Sequence, residues 1–447
     1  MAAPDSPAAN GAGPASAPPE PPLDVLIIGA GIGGVISLKY ARDAGLRALA
    51  LEKAAGAGGL WRDLPAWQDI QLASADWTLG AVPIGGHDQR AILANIEAWV
   101  ERFGLRDGIR LDAEVLSARH EDGGWRIRTR DREYRARYVV AATGGHNLPF
   151  IPPVAREAPQ LDEFHSSALR DPAVLAGRDV TVVGGGASAF DLLDLALDRG
   201  AARVRWVYRS VRWMLPTLKA KHEANDLRTL GKRQLLGATP AKMNPVLNGV
   251  LRSRYRKYGL EPILPQQDFD IRRNHLLPGR RGMIGRFADL DRYQSIVTRI
   301  AGRRVELASG ASFETGVLLW GTGYTLQQRY FAEERLSGIT GLAELSRRCG
   351  SIALSRDVPG LFFLAPGVLE ANTSTPWAYA HLAKSIMAHI RGKEVFTAEP
   401  APEGLAYLDV VRFLAGRDRA SYLPLVWRLK YLARAFLQRP DRPLPLP

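Results

Sequence analysis

Residues 23–53 decide the fold, and they read LDVLIIGAGIGGVISLKYARDAGLRALALEK. A short apolar strand leads into a glycine-rich turn, a helical segment follows to about Ala44, and a second apolar strand ends at Glu52. Strand, turn, helix and strand in this order are typical of a βαβ unit with parallel strands. The stretch therefore predicts a dinucleotide-binding unit.

The turn GAGIGG has three spaced glycines with separate tasks. Gly29 permits the tight turn, Gly31 lets the backbone approach a pyrophosphate, and Gly34 lets the helix pack closely on the strand. The helix N-terminus offers N–H groups to the phosphates. Glu52 stands where a carboxylate can accept hydrogen bonds from a ribose. We expect these four residues to bind a dinucleotide, and the acid suits FAD.

A second unit of the same kind occupies residues 178–209, RDVTVVGGGASAFDLLDLALDRGAARVRWVYR. Gly184 and Gly186 take the roles of the first two glycines, and Ser188 is placed to bond a phosphate. The second strand ends in Arg209 and not in an acid, and Arg212 lies just beyond. A guanidinium can hold a ribose 2′-phosphate by paired charge-assisted hydrogen bonds, whereas an acid would repel it. This unit therefore predicts NADPH over NADH.

Two such units in one chain predict two bound dinucleotides, FAD in the first and NADPH in the second. A flavin beside a nicotinamide indicates hydride transfer, in which the cofactors carry the chemistry and the protein sets their geometry.

Composition limits the classes of protein that remain. The chain has 447 residues, 46% of them hydrophobic, and a single cysteine, which excludes a disulfide framework, a Cys-rich zinc site and a dithiol redox pair. No apolar run reaches the roughly 20 residues that span a bilayer, and residues 1–22 lack the features of a signal peptide. We therefore expect a cytoplasmic protein with a disordered tail.

The basic segments of the chain are compatible with several kinds of partner. The net charge is +13, and fourteen Lys or Arg residues fall within 203–257, which fits either an anionic partner or a solvated helical face. Nucleic acid is not expected, because no nucleic-acid-binding motif accompanies the charge. Residues 422–437, YLPLVWRLKYLARAFL, fit either a peripheral membrane contact or a helix docked on the protein's own core.

The chain from Leu23 to Gly392 resembles the flavin-containing monooxygenases, the class B flavoprotein oxygenases that also include Baeyer–Villiger enzymes and N-hydroxylases. Besides the two glycine turns, the resemblance is carried by AGGLW at 57–61, ATG at 142–144, LLWGTGY at 318–324, PGLFFL at 359–364 and TSTP at 373–376. The segment at 318–324 is similar to the family's ATGY hinge, with Gly321 in place of alanine. The resemblance implies cofactor contacts for Trp61, Thr322, Gly323 and Tyr324.

The resemblance also implies an α/β fold of two Rossmann-like dinucleotide-binding domains, with the NADPH domain inserted into the FAD domain. The implied division is a tail at 1–22, the FAD domain at 23–165 and 316–395, the NADPH domain at 166–315 with a helical insertion at 215–284, and a C-terminal basic amphipathic extension at 396–447. The insertion fits a lid over substrate or a contact in a homo-oligomer.

The linker between the domains departs from the family pattern. His165 aligns with the histidine of the fingerprint FxGxxxH, but the flanking fingerprint positions hold Pro159, Leu161 and Leu169. A Baeyer–Villiger enzyme is expected to carry a tryptophan in this fingerprint. Its absence here argues against ketone insertion. His165 is therefore either a catalytic histidine or a loop histidine that positions the linker.

Candidate polar residues near the flavin are few. Related monooxygenases often carry an asparagine after the GGxW segment, and none lies between Trp61 and Leu79. Ser74 and Asp76 are the nearest candidates for a catalytic role, and Asp76 also fits a turn or the start of a helix.

The resemblance implies that NADPH reduces FAD, that the reduced flavin and O₂ form a 4a-hydroperoxide, and that a small or lipophilic substrate is oxygenated at N or S. Two alternatives stay open: Baeyer–Villiger oxygenation of a ketone, and a non-oxygenating flavoprotein or NADPH-binding scaffold. The expected partners are a small-molecule substrate and O₂, with no metal. The substrate pocket is expected where the two domains meet.

Overall fold

The computed structural model describes residues 21–70, 86–218, 240–270, 274, 276–350, 353–364 and 376–393. Several predicted features lie outside the described residues: the tail at 1–20, Ser74, Asp76, the basic start of the insertion at 219–236, the TSTP segment up to 375 and the C-terminal extension at 396–447. The proposals made for them stay predictions.

The described strands and helices alternate along most of the chain. In chain order the strands are β1 Leu23–Ile28, β2 Ala48–Leu51, β3 Ile109–Arg110, β4 Ser117–Glu121, β5 Gly124–Arg128, β6 Glu133–Ala141, β7 Leu148–Pro149, β8 Ala155–Glu157, β9 Asp162–His165, β10 Asp179–Val183, β11 Arg203–Tyr208, β12 Met214–Leu215, β13 Leu277–Pro278, β14 Leu290–Gln294, β15 Val297–Ala301, β16 Arg304–Leu307, β17 Ser312–Glu314, β18 Val317–Trp320, β19 Tyr324–Thr325 and β20 Leu361–Phe363. The helices are α1 Ile32–Asp43, α2 Leu60–Asp63, α3 Gln89–Arg102, α4 Ala187–Asp198, α5 Pro240–Lys257, α6 Arg281–Gly285, α7 Glu334–Ser337, α8 Leu342–Arg347 and α9 Pro376–Ile390.

The first sheet forms around the strand that opens the deciding stretch. Its order is β3-β2-β1-β6-β5-β4, with β20 beside β6. β1 runs parallel to both of its neighbours, β2 and β6. Val25, Leu26 and Ile27 are fully buried, as expected for a parallel strand that is covered on both faces. α9 packs against α1, so the last described helix belongs to this first unit.

The second sheet contains the second predicted βαβ unit. Its order is β14-β11-β10-β18-β9, and each neighbouring pair is parallel. The predicted domain boundaries at 165/166 and 315/316 are wrong by one strand each, because β9 and β18 pair with each other inside this sheet. β8 also joins β15, so the second unit begins before residue 162.

The α/β class with two Rossmann-like units is confirmed, and the second unit is inserted between two parts of the first. The described part of the insertion contains α5 and, beyond it, a loop-rich segment with short β13 and α6. Tyr255 of α5 is buried, and its hydroxyl accepts the N–H of Met214 at 3.1 Å. None of the helices given above has the length and apolar character needed to cross a membrane.

Gly321, the residue after β18, lies where no larger residue fits. A Cβ atom added to it would stand 2.6 Å from the Cα of Ala189 on α4. Real Cβ contacts are essentially never this short, so α4 would have to move. The small residue at 321 therefore sets the distance between α4 and the end of β18.

We expect Gly321→Ala to lower the free energy of unfolding by about 1–3 kcal/mol, as overpacking of a close contact does. Gly249→Ala is the matched control, since Gly249 is an exposed residue of α5 with no atom within 4 Å of its added Cβ. Removing a helical glycine should raise stability by about 0.5–1 kcal/mol. Chemical denaturation of both variants measures the difference, and an unfolding midpoint of Gly321→Ala equal to that of the unmodified protein would show that the contact is not tight.

Candidate functional site

The first glycine turn, Gly29–Gly34, connects β1 to α1. Gly29 has φ +100°, in the region that favours glycine, and its N–H donates to the carbonyl of Leu51 at 2.7 Å. A Cβ added to Gly34 would lie 1.9 Å from the carbonyl oxygen of Gly29. These two glycines are thus required by the protein's own packing.

Gly31 differs from Gly29 and Gly34 in the turn, because nothing in the part of the chain that the structure describes requires a glycine there. Its φ of −71° suits any residue, and an added Cβ would reach no protein atom closer than the Cα of Gly59, at 3.5 Å. Gly31 is the N-cap of α1 and no side chain caps that helix. The first-turn N–H groups of α1 therefore face a space that a phosphate can enter.

The AGGLW segment lies beside this space. Gly58 donates its N–H to the carbonyl of Ala30 at 2.9 Å, which brings the segment against the turn. A Cβ on Gly59 would come within 2.9 Å of the Cα of Gly31, and Gly59 has φ +55°. Trp61 follows in α2 and is half-buried. The two glycines of this motif thus allow the segment to approach the phosphate-facing part of the turn.

Glu52 is placed at the turn as the sequence predicted, but its carboxylate already has partners. The side chain is 4% exposed. One oxygen accepts the N–H of Ala30 at 2.7 Å, and the other accepts the N–H of Ala54 at 3.0 Å. A carboxylate that accepts two N–H groups keeps its position at the end of β2 and holds the turn in place.

The second glycine turn, Gly184–Ala189, has the same design. Gly184 has φ +135°, and its added Cβ would lie 2.3 Å from the carbonyl oxygen of Gly321. Gly186 has φ −120°, and the nearest atom to its added Cβ is the Cγ of Arg212 at 4.0 Å. Gly186 caps α4 without a side-chain hydrogen bond. Ser188, in the first turn of α4, is half-buried.

Arg209 and Arg212 lie on the loop that follows β11, and both are exposed. The N–H of Arg212 donates to the carbonyl of Gly185 at 2.8 Å. A Cβ on Gly185 would stand 1.9 Å from the carbonyl oxygen of Ser210, so this loop rests directly on the turn. The two guanidinium groups therefore extend from a loop in contact with the space beside Gly186.

Gly185 is a residue whose importance the sequence analysis missed. It occupies a position that the pattern GxGxxA leaves free, and the middle glycine of GGGASA was the available signal.

Two chain segments connect the units, one containing β7 and the other β19, and we call them the crossings. His165 is bonded to the second of them and is 4% exposed. The N–H of Ser167 donates to its Nδ1 at 3.2 Å, which makes Nδ1 an acceptor. The other ring nitrogen, Nε2, then donates to the carbonyl of Gly323 at 2.9 Å. The edge-to-face ring of Tyr324 lies 5.1 Å away. The imidazole thus has protein partners on both nitrogens and positions the linker.

The hinge residues also contact the protein itself. Thr322 donates its hydroxyl to the carbonyl of Phe150, and Phe150 donates its N–H to the carbonyl of Gly323 at 2.9 Å. Strand β19 pairs antiparallel with β7, so the outgoing and returning crossings are bonded to each other. Burial raises the pKa of Tyr324, and the nearby side chains of Ser167 and Ser166 oppose this shift. These contacts fix the region where the two units meet.

Burial lowers the pKa of His165, although its bond to Gly323 opposes this shift. The unfolded chain therefore binds a proton at this residue more readily than the folded chain does. Stability contributed by the neutral imidazole is present above the ordinary histidine pKa of about 6.5 and is lost as pH falls below it.

We expect the free energy of unfolding to fall between pH 7.5 and pH 5.5 by up to about 1.4 kcal/mol per pH unit from this residue. Denaturant titrations at three pH values measure the slope. His165→Asn should reduce it; an unchanged slope in that variant would mean that other groups cause the loss.

Metal binding finds no support in the described part of the chain, where no cluster of three or more His, Cys, Asp or Glu side chains is arranged to hold an ion. The site is made of two glycine turns, one acid, two arginines and a bonded pair of crossings.

Comparisons with known proteins agree with this geometry. A family model described as pyridine nucleotide-disulphide oxidoreductase matches residues 26–224. An uncharacterized monooxygenase of Mycobacterium bovis is 33% identical over 182 residues, which cover 37% of this chain and 35% of that protein. A Baeyer-Villiger monooxygenase of Streptomyces coelicolor is 28% identical over 239 residues, 47% of this chain and 44% of that protein. Over these matched segments the chain is similar to proteins named as monooxygenases.

A solved structure shows that the similarity in fold extends over most of the chain. OTEMO, solved in complex with FAD and NADP, superposes with a TM-score of 0.65 at 15% identity, and the match covers 84% of this chain and 86% of that one. The curated relatives named above are matched over less than half of their own length. The family model thus matches a segment that includes both glycine turns, and the fold agrees over a longer range.

Proposed function

We propose that this protein is an NADPH-dependent FAD monooxygenase that oxygenates a small or lipophilic substrate at N or S. One observation carries the proposal. Gly31 and Gly186 have ordinary backbone angles, and among the described residues the nearest atoms to Cβ atoms added there lie at 3.5 Å and 4.0 Å. Glycine at both positions is explained by ligands that approach the backbone there.

FAD fits the first turn. Its pyrophosphate would meet the uncapped N-terminus of α1, and the AGGLW segment would lie beside it. Glu52 stands at the end of β2, where the adenosine ribose of such a cofactor is held. Its two backbone partners keep the carboxylate oriented before any ligand arrives.

NADPH fits the second turn. Arg209 and Arg212 are exposed on the loop that touches Gly185, at the end of the strand where an acid would select NADH. Their charge can bind the 2′-phosphate by paired hydrogen bonds.

When bound, the two cofactors supply hydride transfer and oxygen activation. The chain's own residues bind and orient them and keep water out of the region where the units meet. His165 and the β7–β19 pair hold the two crossings together, which sets the position of one glycine turn relative to the other. Ser74 and Asp76 stay candidates for contact with substrate.

The test is NADPH-dependent oxygen uptake by the purified yellow protein, with product analysis on a panel of tertiary amines, thioethers and cyclic ketones. An N-oxide or sulfoxide formed in step with NADPH oxidation supports the proposal. NADH is the control nucleotide.

Baeyer–Villiger oxygenation is the second candidate, because a relative that is 28% identical carries that name. Lactone or ester as the main product from the ketones would favour it over oxygenation at N or S. Bound flavin with no oxygenated product from any of the three classes would favour a non-oxygenating flavoprotein and would overturn the proposal.

A further inference from the structure

Arg280 is the largest charged side chain that the described core buries completely, with 0% exposure. It belongs to the end of the insertion, between β13 and α6. Its Nε lies 2.7 Å from one carboxylate oxygen of Asp191 on α4, and Nη2 lies 3.2 Å from the other. A buried arginine with a two-point carboxylate partner is a strongly oriented group.

The same guanidinium reaches the start of α4. Nη2 approaches the carbonyl of Ala187, the first residue of that helix, at 3.5 Å, and Nη1 donates to the carbonyl of Pro278. α4 has no side-chain N-cap, so its first turn depends on contacts from outside the helix. Arg280 contacts this first turn through the carbonyl of Ala187 and the carboxylate of Asp191.

Two further contacts continue along the same face of α4. The N–H of Met283 donates to Asp194 at 2.6 Å, and Arg286 pairs with Asp198 at 2.5 Å. Asp191, Asp194 and Asp198 are three and seven residues apart, a spacing that places them on one face of a helix. We name this set of three contacts, Arg280–Asp191, Met283–Asp194 and Arg286–Asp198, the insertion contact.

The other end of the insertion lies next to the arginine loop. β12 begins two residues after Arg212 and pairs in parallel with β13. The N–H of Gly279, beside Arg280, donates to the carbonyl of Leu215 at 3.0 Å. The two ends of the insertion are therefore hydrogen-bonded to each other, and the second end is also hydrogen-bonded to α4.

A buried ion pair gives little net stability, because desolvation of both charges offsets their attraction. Net stability therefore does not explain the Arg280–Asp191 pair. The effect that the contacts support is orientation of the start of α4.

We propose that Arg280 is a positioning residue, which holds the first turn of α4 for the dinucleotide and couples nucleotide binding to the insertion contact. This proposal rests on the proposed function, in that the second turn binds NADP(H). Since coupling between two sites is reciprocal, bound nucleotide also stabilises the insertion contact.

The test uses the double variant Arg280→Met/Asp191→Leu, which removes the pair without leaving one buried charge alone. Titration calorimetry with NADP⁺ should show a Kd raised about tenfold, within the usual range of coupling between sites. Flavin content and the thermal midpoint should stay close to those of the unmodified protein, a pattern that a merely structural role would not give. Arg252→Ala is the matched control, since Arg252 belongs to an exposed ion pair with Asp268 that lies outside the insertion contact, and the Kd of this variant should change less than about twofold.

Hydrogen exchange gives a readout independent of affinity. NADP⁺ should slow the exchange of amides in residues 276–286 in the unmodified protein and not in the double variant. An unchanged Kd, or equal slowing in both proteins, would overturn the role of Arg280 while leaving the proposed function intact. An unmodified protein that retains flavin and does not bind NADP⁺ would overturn both.

Discussion

Replacing Gly31 by alanine should give a folded protein that is purified without its yellow colour. The added Cβ has room within the protein, since the nearest atom is the Cα of Gly59 at 3.5 Å, so the fold should tolerate it. It would occupy the space through which a pyrophosphate reaches the backbone. An overpacked contact of this kind costs about 1–3 kcal/mol, which corresponds to roughly ten- to a hundredfold weaker FAD binding.

Gly34→Ala separates loss of ligand from loss of fold. Its Cβ would lie 1.9 Å from the carbonyl oxygen of Gly29, so α1 must move away from β1 in this variant. We therefore expect Gly34→Ala to lose both flavin and thermal stability, and Gly31→Ala to lose flavin alone. Flavin-to-protein absorbance ratios and melting curves of the apoproteins measure the two effects. A Gly31→Ala protein that binds FAD as tightly as the unmodified one would reject the first turn as the flavin site.

The sequence was sufficient where the signal is local. The strand-turn-helix-strand order of residues 23–53 predicts β1, α1 and β2, because apolar runs and glycine spacing act within a few residues of one another. The same is true of β10, α4 and β11. The positions of Glu52 and Arg209 at strand ends follow from these patterns.

The sequence was insufficient where the fold brings distant segments together. β9 was placed in the wrong unit because its short polar sequence, DEFH, carries little information about its partner, and pairing with β18 decides its sheet. Residue 210 approaches Gly185, and residue 189 approaches Gly321, too closely for a side chain at either glycine. The sequence around each glycine does not show which distant residue approaches it. The Arg280–Asp191 pair spans 89 residues of chain and was missed for the same reason.

His165 shows how geometry decides between two interpretations of one residue. The sequence left open a catalytic histidine and a linker histidine. Both ring nitrogens are within hydrogen-bonding distance of linker atoms, which favours the second interpretation. We propose that it acts by fixing the crossings and that proton transfer to substrate is not its task.

Replacing Arg209 by alanine should raise the KM for NADPH by about ten- to a hundredfold, because hydrogen bonds to charged groups contribute about 1.5–3 kcal/mol each. The KM for NADH should change by less than about twofold, since NADH has no 2′-phosphate for the guanidinium to bind. Arg209 is exposed, and the turn beside it is held by backbone hydrogen bonds, so the fold should be unaffected. Steady-state oxidation of both nucleotides, measured with the same substrate, gives the ratio.

Arg203→Ala is the matched control, because Arg203 is an exposed arginine at the opposite end of β11 and pairs with Asp291 at 3.6 Å. Loss of Arg203 removes one positive charge from the start of β11. This end of the strand lies away from the glycine turn, because β11 runs parallel to β10. A general effect of net charge on an anionic nucleotide would therefore appear in both variants, whereas a specific 2′-phosphate contact appears only in Arg209→Ala. Equal increases in KM for NADPH and NADH in Arg209→Ala would assign the discrimination to another residue, and Arg212 on the same loop would be the next to replace.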